Sequence, residues 1–240
     1  MTTTLITGGA GGIGSAIARR LAARGDSVVL ADMNADRGES LAAELGGLFV
    51  RTDVAAPADN ERAVAAAIEA YGGLDLAVFT AATPGGTGLS GFDADAYRAS
   101  SRVNLDGVVY GLAACWEPLR ASDGSALVVS SIAGLLGSPD VFYSVAKHAL
   151  VGLVRGAAMS GATMSPSGSV RVNALCPGFV DTPMLAPMCD ALEAAGLPIA
   201  DPAEVAIAAE TVLSSRDTGE AWTVSAGREP ELVRPPDIHL

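Results

Sequence analysis

The sequence predicts an α/β fold, a doubly wound, mostly parallel sheet with helices on both faces. Two observations predict it. Strand-length apolar runs alternate with helix-length segments from one end of the 240 residues to the other, as repeated βα units require. Half the residues are hydrophobic but only 5% are aromatic, so Ala, Val, Leu and Gly carry the apolar content, which suits strands covered on both sides.

The units can be read in order. Thr3 to Thr7 reads as a strand and Gly12 to Arg24 as a helix. Val28 to Ala31 is a strand before a helix over Arg37 to Leu45, and Leu48 to Val54 a strand before an alanine-rich helix over Asp59 to Tyr71. Leu74 to Ala82 leads to one long helix from Ala94 to Leu119, and Ala126 to Ser130 to a helix from Phe142 to Ser160. Val170 to Leu175, a helix over Pro202 to Ser214 and a last strand over Ala221 to Val224 complete the series. Right-handed crossovers would join these strands into a seven-stranded parallel sheet. With no break in composition, residues 1–240 read as a single domain. The stretches 83–93, 161–169 and 183–200 are the least regular. The first and third follow strand C-termini, the edge at which open α/β sheets hold ligands. Residues 229–240 contain three prolines and read as an extended C-terminal tail.

The formal charge of −12 argues against nucleic acid or an anionic membrane as partner. Cys115, Cys176 and Cys189 have no CxxC spacing and read as reduced thiols, and the two histidines, His148 and His239, cannot build a metal site alone, so no metal is expected. No apolar run reaches membrane-spanning length, and MTTT passes straight into LITGG without a leader pattern. A cytoplasmic location is expected.

Residues 7–14 read TGGAGGIG between a strand and a helix. Glycine is needed where backbone turns tightly and approaches a pyrophosphate, and the following helix offers free N–H groups and the positive end of its dipole. The loop satisfies GxGxxG, GxxGxxG and TGxxxGxG together, so spacing does not choose among the Rossmann-like subfamilies. Asp32 ends the next strand, where a carboxylate can accept the ribose hydroxyls of NAD and repel the 2′-phosphate of NADP; Arg37 is the nearest cation after it. NAD is favoured. The alternative for Asp32 is a cap on the next helix.

Tyr143 and Lys147 form Y-x-x-x-K at the start of a helix, on one face by their i, i+4 spacing. A free tyrosine titrates near pH 10, and a neighbouring ammonium would lower that value and make the phenol useful as a general acid–base. Ser130 and Ser131 end the preceding strand, from which Ser131 can hydrogen-bond a substrate oxygen.

With TGGAGGIG, Asp32, Asp53-Val54, VNLDG (103–107), VVSSIAG (128–134), YSVAK (143–147) and VRVNALCPGFVDT (170–182) in this order, the chain resembles the short-chain dehydrogenase/reductase family. The resemblance implies a catalytic tetrad of Asn104, Ser131, Tyr143 and Lys147. Tyr exchanges the proton, Lys binds the nicotinamide ribose and lowers the Tyr pKa, Ser orients the substrate oxygen, and Asn holds a helix distortion and a water in the proton relay. Asp53 and Val54 match the adenine contact, Ala81 the backbone beside the adenine ribose, and Pro177, Gly178, Val180 and Thr182 the segment that seats the carboxamide. The candidate cofactor contacts are therefore Gly8, Gly11, Gly12, Ile13, Gly14, Asp32, Met33, Asp53, Val54, Ala81, Tyr143, Lys147, Pro177, Gly178, Val180 and Thr182.

Three positions depart from the family's pattern: Phe79-Thr80-Ala81-Ala82 stands for Asn-Asn-Ala-Gly, the Ser-to-Tyr spacing is one residue short, and Ser225-Ala226-Gly227 stands where a glycine pair is usual. The expected activity is NAD-dependent interconversion of a secondary alcohol and a ketone. The alternatives are an NADP-dependent carbonyl or 3-oxoacyl reductase of the same family, a nucleotide-sugar epimerase or dehydratase, and a non-catalytic dinucleotide-binding protein. The 183–200 loop, with Met184, Leu185, Met188, Leu192, Leu197 and Ile199, reads either as a lid over an apolar small-molecule substrate or as a loop packed on the body. His148 reads as an ordinary helix residue and Trp116 as a core or subunit contact. The resemblance implies a homotetramer or homodimer.

Overall fold

Adjacent residues of a strand face opposite sides of its sheet, so a strand that is apolar throughout needs cover on both. The structure, a computed structural model describing residues 2–163 and 169–234, supplies that cover with two helical layers. The chain runs β1 (Thr3–Thr7), α1 (Gly12–Arg24), β2 (Ser27–Asp32), α2 (Ala35–Leu45), β3 (Leu48–Arg51), α3 (Pro57–Tyr71), β4 (Leu76–Phe79), α4 (Ala94–Ser101), α5 (Gly107–Ala121), β5 (Ser125–Val129) and α6 (Val141–Thr163). It continues through β6 (Arg171–Pro177), β7 (Phe179–Val180), α7 (Cys189–Ala194), β8 (Ile199–Ala200), α8 (Pro202–Ser214), β9 (Ala221–Val224) and β10 (Glu231–Leu232). In β2, Val29 and Ala31 pack towards residues of α3, α5 and α6, while Val28 and Leu30 pack towards α1, α2 and α8.

The main sheet has the order β10-β9-β6-β5-β4-β1-β2-β3. The seven expected strands are present and pair in parallel. An eighth, β10, is added from the tail and pairs antiparallel with β9, Glu231 opposite Thr223. Gly227 makes the turn possible with φ +67. Its amide donates to Glu204 Oε1, so the Ser225-Ala226-Gly227 departure is tied to the start of α8. The strand order reverses between β1 and β4, which places a crevice at the C-terminal ends of those two strands.

Several boundaries differ from the sequence expectation. β3 stops at Arg51 rather than Val54, because its partner β2 ends at Asp32. β4 covers Leu76–Phe79 within the expected 74–82. The single helix expected over 94–119 is split by a π-helical turn at Arg102–Asp106. The stretch 183–200 contains α7 and closes on itself where β7 pairs with β8, Phe179 opposite Ile199. Residues 164–168 of the irregular stretch and 235–240 of the tail, with His239, lie outside the described residues. No described helix is long and apolar enough to cross a membrane.

Candidate active site

A cleft of about 910 Å³ opens at the strand-order reversal. It runs from Asp32, Met33, Arg37 and Asp53 at one end, past Gly8, Gly11, Gly12, Ile13 and Gly14, to Ser131, Tyr143 and Lys147 at the other. Of the residues picked out in the sequence as catalytic or cofactor-binding, all but Asn104 border it.

The glycine loop follows from local geometry. Gly8 has φ +65, a conformation that L side chains disfavour, and its carbonyl accepts from Gly11 N at 2.9 Å. Gly14 lies so close to that carbonyl that a Cβ would collide with it. Helix α1 starts at Gly12 with no side-chain cap, so its first N–H groups stay available at the cleft, which suits a pyrophosphate. Asp32 Oδ2 accepts from Ala10 N at 3.0 Å and Oδ1 from Asn34 N at 2.9 Å. The side-chain cap of α2 is Asn34, which accepts from Arg37 N, and not Asp32. The Asp32 carboxylate is thereby held between the glycine loop and the start of α2. Met33 beside it is 55% exposed, an apolar surface at that rim. Asp53 Oδ1 accepts from Ala55 N and shapes the turn after β3.

The departure at Phe79-Thr80-Ala81-Ala82 has a structural answer. Thr80 Oγ donates to Thr7 O at 2.7 Å and ties the end of β4 to the end of β1. The backbone of Ala81 then passes directly beside Gly8.

Asn104 sits inside the π-helical turn, 0% exposed. Its Nδ2 donates to Thr83 O and Ser100 Oγ, and its Oδ1 accepts from Thr83 N at 2.9 Å. It is the clamp that fixes the loop after β4 against the helix. π turns of this kind recur at functional sites.

Tyr143 lies in the first turn of α6 and Lys147 one turn later. Lys147, the only lysine of the chain, is buried; its Nζ donates to Val129 O at 2.9 Å and lies 5.4 Å from the Tyr143 ring centroid. Ser130 Oγ donates to Lys147 O, and Ser131 hydrogen-bonds the Tyr143 phenol. Burial pushes the phenol up to about 12; the Ser131 hydrogen bond opposes this and the Asp140 carboxylate reinforces it. Burial brings the Lys147 amine down to about 8. The expected lowering of the tyrosine by the ammonium is therefore absent. Desolvation of the phenol dominates, and Nζ lies over the ring while its proton goes to a backbone carbonyl.

The loop before α6 holds a residue that the sequence reading missed. Asp140 precedes the helix and accepts from Tyr143 N at 3.2 Å, as an N-cap does, and from Gly85 N at 2.8 Å. An acidic residue three before the tyrosine was the available signal, but the contact with Gly85 is set by tertiary structure. Met184, Leu185, Met188 and Leu192 of the 183–200 stretch border the same end, whereas Leu197 and Ile199 do not. His148 is exposed, its ring nitrogen 2.9 Å from Ser144 O, and Trp116 packs partly buried against the core.

Comparison with known proteins agrees with this geometry. The family model described as short chain dehydrogenase matches residues 2–192. The chain belongs to the short-chain dehydrogenase family. It is 40% identical over 191 residues to a 2,5-dichloro-2,5-cyclohexadiene-1,4-diol dehydrogenase of Sphingobium indicum, covering 76% of this chain and 74% of that one. It is 36% identical to a trans-4-hydroxycyclohexanecarboxylate dehydrogenase of Sinomonas cyclohexanicum, covering 76% and 73%. Among solved structures, a 3-ketoacyl-(acyl-carrier-protein) reductase of Brucella melitensis complexed with NADH superposes with TM-score 0.84 and 26% identity, covering 95% and 98%. As a member of this family the chain is an oxidoreductase that acts on alcohol- or ketone-type substrates with a nicotinamide dinucleotide.

Proposed function

We propose that this protein interconverts a cyclic secondary alcohol and its ketone with NAD, using Tyr143 as proton donor and acceptor. One observation carries the reading: Ser131, Tyr143 and Lys147 meet at one end of a cleft whose other end is the glycine loop and Asp32. The free N–H groups of α1 would hold the pyrophosphate, Asp32 the adenosine ribose, Lys147 the second ribose, and Pro177, Gly178, Val180 and Thr182 the carboxamide. When bound, the cofactor supplies the hydride donor or acceptor.

The chain's own residues handle the proton. Ser131 and the Tyr143 hydroxyl orient the substrate oxygen. In reduction, the phenol, kept protonated by burial, donates its proton to that oxygen. In oxidation, Tyr143 takes the proton back as a phenolate. The Ser131 hydrogen bond favours that anion, and the Lys147 amine, titrating near 8, can hold a proton at neutral pH and release it on the alkaline side. Asn104 keeps the loop after β4 in place around this group. Met184, Leu185, Met188 and Leu192 act as an apolar lid, which suits an alicyclic ring of the kind named for the two dehydrogenase relatives.

NADP is the second reading, because Arg37 borders the ribose end of the cleft beside Asp32. NAD is preferred because the Asp32 carboxylate is bonded to the glycine loop itself. The test is NADH absorbance across a panel of cyclic alcohols and ketones, with Tyr143→Phe as control. Loss of a general acid–base should lower kcat by about 10³-fold while the Kd for NADH stays within about twofold. Wild-type turnover in that variant would overturn the role of Tyr143, and tight NADH binding with no turnover by the wild type would point to a non-catalytic dinucleotide-binding protein.

A further inference from the structure

The substrate end of the cleft carries one charged side chain that this chemistry does not use. Asp140 borders it beside Tyr143. Two backbone donors from separate segments fix its carboxylate: Gly85 N, 55 residues away along the chain, and Tyr143 N. Gly85 is buried, and a Cβ there would run into both the Asp140 carboxylate and Tyr143 N. The loop after β4 therefore reaches the catalytic helix only because residue 85 has no side chain.

Among the described residues no lysine or arginine forms an ion pair with Asp140. Lys147, the nearest cation along α6, is committed to Val129 O. The remaining charged residues lining the cleft, Asp32, Arg37 and Asp53, lie at or after the ends of β2 and β3, on the other side of β1 from the catalytic groups. The side chains around the pocket are otherwise apolar or hydroxyl-bearing: Leu136, Ser138, Met184, Met188 and Leu192.

We propose that Asp140 is a specificity-determining residue that places an uncompensated negative charge beside the reacting group, so that the enzyme selects uncharged cyclic alcohols and ketones over their carboxylate analogues. The inference rests on the function proposed above and names the charge class of its substrate. The physical reason is that a carboxylate entering this pocket meets a like charge, while the one cation at that end, Lys147, is buried against Val129 O and forms no ion pair with Asp140, in surroundings less polarisable than water. The two N–H bonds to Asp140 make it costly for the protein to relieve that repulsion by moving the side chain. The same charge opposes the Tyr143 phenolate. The other groups facing the phenol are Ser131, which hydrogen-bonds it, and Lys147, which lies over its ring.

The experiment is calorimetric titration of the full chain, saturated with NAD+ so that no hydride can be transferred, with cyclohexanone and with 4-oxocyclohexanecarboxylate. Wild type should bind the neutral ketone at least tenfold more tightly. Asp140→Asn should shrink that ratio about tenfold, mainly by tightening the carboxylate, and Asp140→Glu, which keeps the charge, should restore most of it. A second readout separates charge from mere support of the loop. Removing the carboxylate favours the phenolate, so the rising limb of alcohol oxidation against pH should move to lower pH in Asp140→Asn and stay in place in Asp140→Glu. A wild type that does not prefer the neutral ketone, or an Asn variant with an unchanged ratio, overturns the proposal. Failure of the underlying reading shows differently, as absent NADH binding or full turnover by Tyr143→Phe.

Discussion

The two ends of the cleft are built by different means. At the ribose end several shaping contacts are short in sequence: Gly11 N to Gly8 O, Asn34 N to Asp32, Ala55 N to Asp53. A strand, a glycine turn and a helix create much of that surface, and Ala10 N to Asp32 and Thr80 Oγ to Thr7 O brace it against the neighbouring strands. At the substrate end the shaping contacts join distant segments: Asn104 to Thr83, Asp140 to Gly85, Lys147 to Val129. The first end suits a ligand whose phosphate and ribose groups vary little. The second is a set of loops held by side chains, and changing one of those side chains alters what the pocket accepts without touching the frame.

That contrast can be broken from either side. The largest effect is expected from Gly14→Ala. Its Cβ would strike Gly8 O, and overpacking against backbone costs about 1–3 kcal/mol of stability. NADH affinity should fall by roughly 100-fold, about 2.7 kcal/mol, as the loop gives way. Fluorescence titration and thermal melting would check both, and unchanged NADH affinity would break the claim that this end is made by backbone fit.

Asn104→Ala should act on the other end. It strands the partly buried amide and carbonyl of Thr83, at about 2 kcal/mol in total, or roughly 5 °C in Tm. KM for the ketone should rise while the Kd for NADH stays within about twofold. A fall in NADH affinity as large as that in KM would show the two ends to be coupled.

The smallest change sharpens the comparison. Asp32→Ala removes the acceptor of Ala10 N and Asn34 N but keeps the cap of α2, Asn34, and should lower the preference for NAD over NADP by about tenfold, near 1.4 kcal/mol. Steady-state assays with both cofactors would read it. An unchanged ratio would transfer cofactor selection from Asp32 to Arg37.

Much of the frame was legible in the residues. The ends of β1, α1, α8 and β9 fall where the pattern places them, because glycines, Pro202 and the apolar runs mark those boundaries locally. Thr80 shows the limit. Its position was visible as a departure, but its hydroxyl bond to Thr7 O, 73 residues earlier, depends on β1 and β4 being neighbours. The tail was read as extended, yet only the free edge of β9 turns two of its residues into β10. The tyrosine illustrates the same point in its chemistry: one helical turn of spacing suggests an ammonium that acidifies a phenol, whereas burial and the direction of Nζ produce the opposite shift.

By itself the sequence determined the alternation of strands and helices, the glycine turn and the tyrosine–lysine spacing, since each depends on residues a few positions apart. Tertiary structure alone decided that Gly85 meets Asp140, that Asn104 grips Thr83, and that Lys147 points at Val129 O. The reason is physical: a hydrogen bond between segments 18 to 55 residues apart has no local signature, because it exists only once the fold has brought its two ends together.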